Sequence, residues 1–181
     1  IGASVFNELK EYPEKTIIFQ GNDYSLEFSA ADLKRVIPQT EIYDFRMTFN
    51  PPDEEIDAID DIMEGGSYND DLWDDMVMMY FPHHGSLPAP ATLHVSLGRK
   101  YRNDTLYWHY HNEERERIDY YQELETNTGG NFTVEIDHFS TYIITTGRIR
   151  GSERKDGANA SDLIGTTVGR PTSSSDKLNP W

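Results

Sequence analysis

The chain has 181 residues, enough for one domain with a sizeable core, and its 32 Asp and Glu against 16 Lys and Arg give a formal charge of −16. That charge repels nucleic acid and anionic lipid, so neither is an expected partner. The absence of cysteine excludes a disulfide framework, a thiolate metal site and a cysteine nucleophile.

Taken in chain order, "IGASVFNELKEYPEK" places Val5, Phe6 and Leu9 at helical spacing, and Pro13 ends the run, which predicts a short opening helix. "TIIFQGNDYSLEFSAADL" gives two β-type segments around the turn-rich Gln20 to Asp23, a hairpin signature. Ser29 with Asp32 then makes a capping-box signal for one helical turn before Pro38. "IYDFRMTFN" alternates Tyr43, Phe45, Met47 and Phe49 against polar residues and predicts a half-buried strand. From Asp53 to Asp75 there are eleven acidic residues and no Lys or Arg. Ile56, Ile59 and Met63 recur at helical spacing inside that run, so an acidic helix followed by a "GGSYNDD" loop is expected.

The second half is a series of strand patterns: "MVMMYF", "ATLHVSL", "TLYWHYH", "ERIDYYQEL", "NFTVEI" and "STYIITT", with turns at Asn112 and Gly129-Gly130. Many short strands between turns predict a mainly β fold, a β-sandwich of antiparallel strands with one or two short helices, over residues 1–146. Residues 147–181 hold six basic and four acidic residues among Gly, Ser and Thr, and read as a flexible linker or tail. No apolar run reaches the roughly 18 residues a membrane span needs, and no signal peptide is visible. The start at Ile1 suggests a fragment whose targeting sequences lie outside it, and "KLNPW" suggests the approach to a wall-sorting signal.

Three blocks in their order carry a family resemblance: the opening "IGASVFNELKEYPEKTIIFQGNDYSLEFSAADL", the central "FPHHGSLPAPATLHVSLGRKYRNDTLYWHYH" and the closing "GNFTVEIDHFSTYIITT". Together they resemble a domain of secreted and wall-attached proteins of Gram-positive anaerobes, clostridia included. The matched positions are Phe81, His83 or His84, Gly85, Leu87, Pro88 and Ala91, then His138, Ser140 and Tyr142. "YWHYHN" departs from that family's usual Tyr-Tyr-Tyr-Asn strand, and the Asp53 to Asp75 run is unusually acidic for it. The resemblance implies a non-enzymatic, extracellular or wall-attached module that spaces or presents other domains in adhesin-like or cellulosomal proteins.

Several clusters offer chemistry. In "HHGS", Ser86 would need a base, an orienting acid and an oxyanion hole, but no G-x-S-x-G elbow surrounds it. Gly85 and Pro88 are expected to shape a turn there, capped by His84. His109 and His111 share one face of a strand, and His94 from a neighbouring strand would complete a three-histidine metal site. The competing expectation is a solvated face opposite inward-pointing Leu106, Trp108 and Tyr110. Asp70, Asp71, Asp74 and Asp75 are candidate Ca²⁺ ligands, since Ca²⁺ takes carboxylate oxygens, although the spacing does not match an EF-hand. Tyr107, His109 and His111 are the candidate carbohydrate contacts, as the outward face of "YWHYH". His138 and Ser140 are expected to fix the turn into the last strand.

These readings give an expected role without catalysis: a spacer or interaction module of a larger bacterial surface or cellulosomal protein, with carbohydrate binding or adhesion as the alternative. The partners expected are other domains of the same protein, a protein partner or a glycan. No cofactor is required by any motif, and Ca²⁺ is the candidate ion of the acidic run.

Overall fold

The computed structural model describes residues 1–33, 42–65, 72–152 and 154–155, and it is mainly β, as the strand patterns predict. Its strands are β1 (Thr16–Gln20), β2 (Tyr24–Ser29), β3 (Val77–Ser96), β4 (Thr105–Asn112), β5 (Arg117–Glu125) and β6 (Asn131–Thr145). All six belong to one antiparallel sheet in the order β1-β2-β3-β6-β4-β5. The expected sandwich is replaced, among the described residues, by this single sheet. Helices α1 (Ala3–Leu9), α2 (Ala30–Leu33) and α3 (Asp53–Gly65) accompany it.

Two pairs of expected strands are fused. "MVMMYF" and "ATLHVSL" lie on one 20-residue strand, β3, and "NFTVEI" and "STYIITT" on the 15-residue β6. Between Tyr80 and Ala91 the β3–β6 register slips twice. Pro82, Pro88 and Pro90 cannot donate a ladder hydrogen bond, and Gly85 takes φ +117, so the chain bulges there and pairing resumes beyond. The segment "FPHHGSLPAP" is therefore a bulged strand where a turn is expected, because β6 continues unbroken opposite it and holds both halves.

The larger core lies where α1, the 43–49 segment and one face of the sheet meet. Phe6, Phe28, Tyr43, Phe45, Phe81, Trp108 and Tyr142 are buried there. Phe19 and Phe45 stack at 4.5 Å, and Phe6 meets Phe28 edge-on at 5.5 Å. The 43–49 segment puts Tyr43, Phe45, Met47 and Phe49 on the core side, as the alternation predicts. It is not a ladder strand: its ends make isolated bridges, Gly2 with Ile42 and Thr48 with Tyr80.

A second, smaller core lies on the other face, where α3 covers the sheet. Ile59 and Met63 of α3 pack with Ile118, Ile143 and Ile149. Ile149 lies beyond the expected domain boundary at residue 146, yet it is fully buried, and Lys155 N–H donates to the Tyr121 carbonyl at the β5 edge. The folded body thus includes described residues past Thr146. The expected linker from 156 onward and the "GGSYNDD" loop from 66 to 71 lie outside the described residues.

Candidate functional site

The bulge of β3, the end of β4 and the Glu113–Arg115 3₁₀ turn enclose a pocket of about 360 Å³, lined by His84, Ser86, His111, Glu113, Tyr120 and His138 among others. The elements explain why these side chains converge. Leu106 and Trp108 of β4 point into the larger core, so strand alternation sends His109 and His111 to the opposite face, toward α3. On α3 the buried stripe is Ile59 and Met63, and Glu55 lies one turn earlier on the same stripe. Glu55 consequently reaches His111: Oε1 is 2.8 Å from Nδ1, with the two side chains 13% and 3% exposed.

At the mouth of the pocket His84 Nδ1 meets Glu113 Oε1 at 2.6 Å. One donor atom each from Glu55, His111 and Glu113 lie within 4.8 Å of one another, which makes this the convergent His and carboxylate group among the described residues. The backbone that aims them is fixed by hydrogen bonds. Ser140 Oγ donates to the His111 carbonyl at 3.0 Å. Asn112 Oδ1 accepts from Arg115 N at 3.2 Å, capping the 3₁₀ turn that presents Glu113, while its Nδ2 donates to Asp119 at 2.8 Å. Asp119 is also ion-paired with Arg117. Across from β4, Tyr120 bulges out of β5 at φ +29, a strained value for a non-glycine residue.

Electrostatics follow from burial. Burial alone would raise the Glu55 carboxyl, but the hydrogen bond with His111 and the charges of His111 and His84 outweigh it and hold the group below its ordinary value. His109 is the opposite case: desolvation, aided by the Arg148 charge, lowers it to about 3, so it is a neutral imidazole whose Nε2 pairs with Thr145 Oγ1 at 3.1 Å. Its Nδ1 is buried without a hydrogen-bond partner among the described residues. His138 pairs through Nδ1 with Asp137 at 2.7 Å, and its buried Nε2 likewise lacks a partner among them.

The sequence candidates are distributed unevenly over this geometry. His109 and His111 do share a face, but that face is covered by α3 instead of solvated, and of the expected carbohydrate contacts only Tyr107 keeps partial exposure. His94 does not join them. It faces Thr133 whereas His109 faces Ile143, ten residues along β6 and on the order of 30 Å at the rise of a strand. Asp75 is ion-paired with Lys100 at 2.8 Å, Asp74 joins no convergent group among the described residues, and Asp70 and Asp71 lie outside them. The residues that sequence reasoning missed are Glu55 and Glu113. For Glu55 a signal existed: an acidic residue on the apolar stripe of an amphipathic helix must either face a cation or a donor, or be paired with one.

A second concavity, about 450 Å³ and open to solvent, lies at the other end of the sheet. Gln20, Asn22, His94, Asn127, Asn131 and Thr133 give it a polar lining. Comparison with protein-family models, curated proteins and solved structures finds no match to this chain.

Proposed function

We propose that this chain is a non-enzymatic spacer or interaction module of a larger bacterial surface or cellulosomal protein, placed outside the cell or on its wall. The observation that supports this reading is the use made of side chains that could otherwise do chemistry. Ser140 donates to a backbone carbonyl, His111 ties a helix to the sheet, and His109 is buried and neutral. Ser86 is exposed opposite His138 in the ladder, with no hydrogen bond to an imidazole among the described residues. A nucleophilic serine needs its hydroxyl proton directed at a base and an oxyanion hole beyond it. A broad screen of glycoside and ester substrates is the test. No turnover is the expected result, and turnover that vanishes in Ser86→Ala would overturn the reading.

Carbohydrate binding is the second reading, and the polar concavity at the β1–β2 end favours it over the "YWHYH" strand. Amide, imidazole and hydroxyl groups on an open sheet face suit the hydroxyls of a sugar, which exchange hydrogen bonds with water for hydrogen bonds with protein. Calorimetric titration with oligosaccharides at millimolar concentration should give binding that His94→Ala weakens. Binding that is absent, or indifferent to His94, removes this reading.

A further inference from the structure

We propose that Glu55, His84, His111 and Glu113 form a site for a divalent transition metal, zinc foremost, that fastens α3 to the sheet. This goes beyond the role as an interaction module and does not depend on it. The four side chains come from α3, the β3 bulge, the end of β4 and the 3₁₀ turn, so one ion would join four segments that are distant in sequence.

The donor set selects the class of metal. Two imidazoles and two carboxylates suit zinc and neighbouring first-row metals, whereas Ca²⁺ and Mg²⁺ prefer an all-oxygen shell. The spacing is close to what coordination requires. In a tetrahedral site with metal–ligand bonds of about 2.0–2.1 Å, adjacent donors stand about 3.3 Å apart. The His111–Glu55 and His84–Glu113 pairs are at 2.8 and 2.6 Å, and the Glu55, His111 and Glu113 donors already lie within 4.8 Å of each other. His84 stands outside that group of three and joins as the fourth ligand by moving with Glu113, its partner at 2.6 Å.

Each carboxylate already faces an imidazole, Glu55 with His111 and Glu113 with His84, so the four groups bring two anionic and two nitrogen donors to one place. Ligand orientation is already provided: Ser140 holds the His111 backbone and Asn112 holds the turn that carries Glu113, the kind of outer support that metal ligands use. His138 lines the same pocket, and its buried Nε2 has no hydrogen-bond partner among the described residues.

The test uses the full chain stripped with EDTA, titrated with Zn²⁺ by calorimetry and with Co²⁺ by visible absorption. One equivalent should bind, with the intense absorption of low-symmetry, four-coordinate Co²⁺ and a raised unfolding temperature. His84→Gln and Glu113→Gln should each lower the affinity at least tenfold. Both side chains stand at the exposed mouth of the pocket, so the metal-free variants should unfold at the same urea concentration as the parent, separating lost ligation from lost structure. Absence of binding at micromolar Zn²⁺ overturns the proposal. So does binding that the His84→Gln/Glu113→Gln double variant leaves intact, or Ca²⁺ competing with Zn²⁺ at equal concentration.

Discussion

The two halves of β6 obey different rules. From Asn131 to Ile136 exposed and buried residues alternate one for one, because β3 pairs there while one face of the sheet meets solvent. From His138 to Thr145 every residue is buried: Phe139, Tyr142 and Ile144 enter the larger core, Ile143 enters the smaller one under α3, and Thr141 and Thr145 are buried with it. Alternation is a signature of one wet face, and a second covering layer erases it. The same contrast separates the two concavities. The open end presents amides and hydroxyls on a regular ladder, and the covered end presents His and Glu side chains beside two bulges.

Substitutions along β6 sharpen this contrast most directly. Ile143→Ala should cost about 2–5 kcal/mol, the range for deleting a fully buried aliphatic side chain, read as a lower urea midpoint. In the alternating half Glu135→Ala should stay within about 0.5 kcal/mol, as surface substitutions do. Equal losses at the two positions would break the comparison.

Acid gives the next largest effect. His109 takes up its proton only near pH 3 when folded but near its ordinary value of 6.5 when unfolded. Its folded pKa is depressed, so its contribution is complete above 6.5 and is lost as pH falls from there toward 3. The loss is on the order of 1.4 kcal/mol per pH unit. Replacing it by Gln should flatten the fall in the urea midpoint between pH 6 and pH 4, and an unchanged slope would place the acid sensitivity elsewhere. Glu55 has the same sign at lower pH: held below its ordinary 4.5, its contribution is present above that value and lost beneath it, so Glu55→Gln should reduce the remaining acid dependence.

The regular end has one position that should behave like the covered end. Gly130 adopts φ +76 in the turn before β6, and a Cβ there would stand 1.9 Å from the Gly98 carbonyl oxygen. Gly130→Ala should therefore cost more than about 1 kcal/mol despite its place in a surface turn. The smallest effect belongs to Lys100→Ala, which removes an exposed, solvent-screened pair with Asp75 and should leave the urea midpoint where the parent has it.

Much of the fold was legible because its signals are local. The β1–β2 hairpin, the Ile59 and Met63 stripe of α3 and the inward set Leu106, Trp108 and Tyr110 follow from periodicity alone. The fusion of "MVMMYF" with "ATLHVSL" was not legible, since three prolines between them are the ordinary mark of a strand's end, and only a continuous β6 alongside makes them a bulge. The candidate site was half legible. His111 and the acidic run were both marked, but as parts of separate sites, one with His94 and one near Asp74 and Asp75.

The sequence by itself determined the class of fold, the faces of most elements and the excess of negative charge, because these depend on residue type and spacing along the chain. The tertiary structure alone decided that His109 and His111 of β4 are buried on its second face, that His94 stands apart, and that Glu55 meets His111 across 56 positions. Which face a helix covers is set by where its apolar stripe finds a complementary surface, and no local pattern in either segment records the other.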